Sequence, residues 1–127
     1  AVAYEQNGVP SGAGTLADSV MRAAGLRNLA AELGLSGQTP LPLELLIAHQ
    51  PDIVILPARL SDAPSLADLA GGHPALRALT GTRFGRFVPA GAWACGGPFV
   101  IEAVRALARV RQEVAPCPAP QPAGAAR

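Results

Sequence analysis

Short apolar runs alternate along this chain with segments whose apolar residues recur at helical spacing. Ala1 to Glu5 places Val2 and Tyr4 on one face of an extended segment and predicts a first strand. A glycine-rich turn, Asn7-Gly8-Val9-Pro10-Ser11-Gly12-Ala13-Gly14, leads to Thr15, which predicts a helix start with Asp18 three residues on, in the manner of a capping box. Leu16, Val20 and Ala23/Ala24 form that helix's expected buried stripe, and Gly25 stands where a left-handed terminator is wanted. Asn28 to Leu33 fits a short strand or a single helical turn, and the pattern leaves both open. Pro42 to Gln50 predicts a second helix, begun by a proline in its first turn and stopped by Pro51.

Asp52-Ile53-Val54-Ile55-Leu56 is the clearest strand, apolar without alternation as a central strand covered on both faces should be. Ser65 and Asp68 start a short helix, and Pro74 to Leu79 form another. Phe84 to Pro89 is the last expected strand. Pro98 opens the longest helix, running to about Glu113, with Val100, Ala103, Val104, Leu107 and Val110 inward and Glu102, Arg105, Arg109 and Glu113 outward. Strands alternating with helices predict an α/β fold: three layers, Rossmann-like, with a mainly parallel sheet of about four strands and helices on both faces. Ligands of such sheets bind beyond the carboxyl ends of the strands, here the segments 7–15, 57–61 and 89–97. Residues 1–113 form the structured unit, and the Pro/Ala-rich stretch 114–127, with alternate prolines at 116, 118, 120 and 122, is expected to be a disordered tail.

Composition narrows the chemistry. Half of the 127 residues are apolar and 15% are charged, enough to build a packed core and too apolar for wholesale disorder. The net charge of +1 leaves no basic field for a nucleic-acid backbone. All ten basic residues are Arg, so Schiff-base chemistry and the phosphate-binding lysine of a P-loop are excluded. No apolar run approaches the ~20 residues of a membrane span. The chain opens Ala1-Val2-Ala3-Tyr4, without an initiator Met or signal peptide, and reads as an excised or processed piece.

Few residues carry chemistry of their own. Gly8, Gly12 and Gly14 do not make the dinucleotide fingerprint, so a strand-to-helix turn beside a cleft is the better reading. Cys95 precedes the long helix and could act as a nucleophile, but His49 is expected at the opposite pole of the sheet and His73 is expected to start a helix. No pair among His49, His73, Cys95 and Cys117 has metal-ligand spacing, so neither a metal nor a cofactor is expected. Trp93, the sole Trp, either packs the sheet edge or presents its face to a large apolar or conjugated ligand. Glu44 lies off the apolar stripe of its helix, in a first turn where the helix dipole favours an acid.

Taken in order, Tyr4-Glu5-Gln6-Asn7-Gly8, Gly12-Ala13-Gly14-Thr15-Leu16, Ala24-Gly25-Leu26-Arg27-Asn28, Leu43-Glu44 with Pro51-Asp52-Ile53-Val54-Ile55-Leu56, His73-Pro74-Ala75-Leu76 and Trp93-Ala94-Cys95-Gly96-Gly97-Pro98 resemble the C-terminal lobe of cluster-III periplasmic substrate-binding proteins. These serve ABC importers of iron-siderophores, haem and cobalamin. The likeness covers about residues 1–113, with Pro42 where the family commonly has Ser. The family's first lobe and connecting helix have no counterpart in these residues. The resemblance implies a periplasmic, non-catalytic lobe whose partners are a bulky iron chelate or corrinoid, an N-terminal lobe and a membrane permease. It implies that Glu44 docks on permease arginines. Asn7, Thr15, Arg59 and Trp93 become candidate ligand-facing residues by their position on loops at the strand ends. Cobalamin in place of an iron chelate is the alternative within transport. A small α/β enzyme using Cys95, and a free-standing signalling or scaffold domain, are the alternatives from other classes.

Overall fold

The run Ile53–Ile55 becomes the middle strand of the sheet because every one of its side chains has an apolar layer to enter. The structure, a computed structural model, describes residues 1–59, 61–93 and 95–114. Apart from Val114, the expected tail over 114–127 lies outside the described residues, as does Cys117.

In chain order the elements are β1 (Val2–Ala3), α1 (Leu16–Ala23), α2 (Leu29–Glu32), α3 (Leu43–His49), β2 (Ile53–Ile55), α4 (Leu66–Gly71), α5 (Pro74–Arg77), β3 (Arg83–Gly85) and α6 (Val100–Val114). The strands pair in parallel in the order β1-β2-β3, with Val2 opposite Val54 and Val54 opposite Phe84. The fold is therefore α/β with a parallel sheet, and the described residues hold three strands. Alternation along the strands sorts the core into two layers. Ala3, Ile53 and Ile55 pack with Val20 and Met21 of α1 and Ala103, Leu107 and Val110 of α6. Val2, Tyr4 and Val54 pack on the other face with Leu29, Leu46, Ala67 and Leu76, one from each of α2 to α5.

Several boundaries differ from expectation. The undecided segment 28–33 is the helix α2, because the Asn28 side chain accepts the Ala30 amide and caps it. It supplies no fourth strand. The buried face of α1 is Ala17, Asp18, Val20 and Met21, whereas Ala23 is exposed and Leu16 only partly covered. Thr15 caps α1 as expected, yet Asp18 does not close a reciprocal box and turns instead to Asn28. The full capping box is in α4, between Ser65 and Asp68. The last strand begins one residue early, at Arg83, and ends at Gly85, since Arg86 is drawn out of the ladder toward the Pro57 carbonyl and Asp68.

Candidate ligand-binding site

All three strands deliver their carboxyl ends to one shallow recess. A cavity of about 120 Å³ lies there, with Gln6, Pro57, Ala58, Pro89 and Trp93 among its mainly apolar walls. Small-molecule pockets usually enclose roughly 300–1,000 Å³ and cover most of their ligand. This recess is the size of a wall, not an enclosure.

Its base is tied from both sides. The last ladder bond leaving β2 runs from the Leu56 amide to the Gly85 carbonyl at 2.8 Å, and Pro57 has no N–H to continue it. Side chains take over from there. Gln6 Nε2 donates to the Ala58 carbonyl at 2.6 Å, joining the exit of β1 to that of β2. From the β3 side, Arg86 donates to the Pro57 carbonyl with one guanidinium nitrogen and to Asp68 with the other. The second carboxylate oxygen of Asp68 accepts from the Ser65 amide at 2.7 Å and from its hydroxyl at 2.9 Å. The start of α4 thereby belongs to the same network. Burial lowers the pKa of Arg86 from its ordinary value, and the positive charge of Arg59 adds to the effect.

Of the four residues placed on strand-end loops by sequence, only Trp93 lines the recess. It is half-buried, packs against the α1/α6 layer and also lines the recess. Asn7 is exposed, its side-chain oxygen accepts the Val9 amide at 3.1 Å and its amide reaches Gln38 at 3.3 Å, a turn-forming role. The Thr15 hydroxyl is spent on the start of α1, accepting from Asp18 and donating to the Gly12 carbonyl at 2.8 Å. Arg59 is exposed one residue beyond the wall. Glu44 is exposed in the first turn of α3, away from the recess.

The structure does not bring Cys95 and a histidine together. Cys95 is exposed and follows Trp93 at the carboxyl edge. His49 lines a hollow at the amino edge with Ala1 and Asp52, and His73 Nδ1 accepts the Ala75 amide to cap α5. Nor is the glycine-rich turn a loose cradle. Its Ser11, Gly12 and Ala13 amides donate to the carbonyls of Ala3, Gly37 and Leu35, so these donors are already used. Among the described residues no group of three His, Cys, Asp or Glu side chains could hold a metal ion, and no helix is long and apolar enough to cross a membrane.

Sequence reasoning missed Gln6 and Arg86. Both act on backbone carbonyls of the segment after β2, which leave no signal in the sequence. Comparison with protein-family models, curated proteins and solved structures returns no match for this chain.

Proposed function

We propose that this chain is the C-terminal lobe of a cluster-III periplasmic substrate-binding protein, delivering an iron chelate such as a siderophore or haem to an ABC permease without catalysis. The recess carries the reading: a mainly apolar wall of about 120 Å³, bearing the sole Trp at the convergence of three parallel strand ends, needs a facing surface to enclose a ligand. A second lobe supplies that surface. The parallel sheet with helices on both faces is in keeping with the Rossmann-like lobe of that family. Ordered motifs spread over residues 1–113 add to it. Glu44, exposed on a rigid helix away from the recess, suits a docking contact separate from the ligand. A corrinoid ligand is the alternative within the same family.

Titration with haemin, ferric siderophores and cobalamin tests the proposal, comparing the 127-residue chain with a two-lobe protein that contains it. The expected result is tight binding of one of these by the two-lobe protein and weak binding by the single lobe. A two-lobe protein that binds none of them, encoded away from any permease and ATPase genes, would end this reading.

A further inference from the structure

Arg86 joins the exits of β2 and β3 to the start of α4. Its side chain is 27% exposed and that of Asp68 is 10% exposed, so the pair is partly shielded and can use the fork geometry of a guanidinium on two acceptors at once. Pro57 contributes no amide to the ladder, and Gln6 grips the Ala58 carbonyl from the opposite side. Held between two side chains from the β1 and β3 sides, Pro57 and Ala58 line the same recess as Trp93.

We propose that Arg86 is a positioning residue: clasping the Pro57 carbonyl and Asp68 together, it fixes the Pro57–Ala58 part of the recess that Trp93 also lines. Asp68 has a double part, since it starts α4 and neutralises Arg86. With that carboxylate neutralised, Arg86 would lose its charged partner and its hold on the start of α4, leaving the Pro57 carbonyl as its remaining anchor. The assignment rests on the proposed function for its consequence, the shaping of a ligand surface, but the wall can be read without any ligand.

Trp93 provides the readout as the only Trp in the chain. Its emission maximum and acrylamide quenching are measured in the parent and in Arg86→Ala, Arg86→Lys and Asp68→Asn, with far-ultraviolet circular dichroism checking that each is folded. Arg86→Ala is expected to shift emission to the red and raise quenching while the circular dichroism stays that of the parent. Arg86→Lys, a point charge without the fork, is expected to recover only part of the shift. Asp68→Asn keeps a capping oxygen for Ser65, so it decides the matter if Arg86→Ala does not fold, and it is expected to move Trp93 in the same direction. Parent-like emission and quenching in folded Arg86→Ala, or in Asp68→Asn in its place, overturn the assignment. Ligand titrations that fail while Trp93 shifts as expected would remove the proposed function and leave the positioning role standing.

Discussion

Asn28 and Asp18 are joined by a buried hydrogen bond of 3.0 Å from the Asn28 side-chain amide to the Asp18 carboxylate. The same amide donates to the Ser11 carbonyl at 3.0 Å, while the Asn28 oxygen caps α2. One side chain thus ties the glycine-rich turn, α1 and α2 together. Asn28→Ala should cost about 1 kcal/mol for the cap, and a further ~1–3 kcal/mol for leaving a buried acceptor short of a partner. Asn28→Ser keeps a capping oxygen and removes the amide, which separates the two effects. Urea unfolding of the three proteins measures them, and a serine variant as stable as the parent would show that the link to Asp18 contributes nothing.

Gly12 lies where the turn before α1 crosses the 35–37 segment. Its amide donates to the Gly37 carbonyl at 2.7 Å, and a Cβ at this position would meet the Leu35 carbonyl, which is backbone and cannot swing aside. Gly12→Ala is therefore expected to destabilise by at least about 1–3 kcal/mol, the scale of overpacking. Gly14→Ala meets open space and carries only the strain of its positive φ of 79°, about 1–2 kcal/mol. Thermal melts should rank Gly12→Ala below Gly14→Ala. The reverse order would mean the crossing is loose.

Burial raises the pKa of Tyr4 above the ordinary phenol value. The folded chain then keeps the phenol proton at pH values where the unfolded chain has released it. Stability from this group is fully present below about pH 10 and falls as pH rises through the raised folded value. Tyr4 is the only Tyr, so the phenolate absorbance band titrates it alone. The midpoint should lie above that of free tyrosine, and Tyr4→Phe should lessen the alkaline loss of stability. A midpoint at the free value would show that the ring opens to water before it ionises.

The parts of the fold governed by near neighbours were legible in the sequence. Ile53–Ile55 needed only its contiguous apolar run, and α4 only Ser65 and Asp68 three residues apart. Thr15 was legible for the same reason, but the true partner of Asp18 sits ten residues away, brought there by packing. The recess was legible as a location and as Trp93, because parallel strands fix which loops share an edge. Its clasp was not. Gln6 and Arg86 bind backbone carbonyls 52 and 29 residues distant, and carbonyls carry no sequence signal. Asn7 and Thr15 sat on the right loop, yet local turn and cap bonds had already taken their polar atoms.

Trp93 faces the recess while its other side rests on the α1/α6 layer, so its removal should act on both. In the two-lobe protein of the proposed function, Trp93→Ala should weaken ligand binding by about 1–3 kcal/mol, the scale of an aromatic anchor. Trp93→Phe keeps an aromatic face and should recover much of that. Calorimetric titration beside thermal melting separates the two effects. Lost stability with unchanged affinity would assign the ring to the core alone.

Glu44 separates two readings that share every structural fact about it. It is exposed in the first turn of α3, behind Pro42, which offers no side-chain cap. As an acid near a helix N-terminus, its replacement by Ala should cost about 0.3–1 kcal/mol of stability and nothing more. As the docking residue of the proposed lobe, it should leave ligand affinity intact while transport falls, because a carboxylate gives permease arginine both charge and a bidentate register. Glu44→Gln keeps the shape and loses the charge, so it should transport better than Glu44→Ala. Glu44→Arg should transport least, since it sets like charges against each other at the contact. Uptake by a reconstituted importer, with ligand affinity and melting temperature measured on the same proteins, distinguishes the readings. Equal uptake by all three variants and the parent would leave Glu44 as a solvated helix-start acid and withdraw the docking surface.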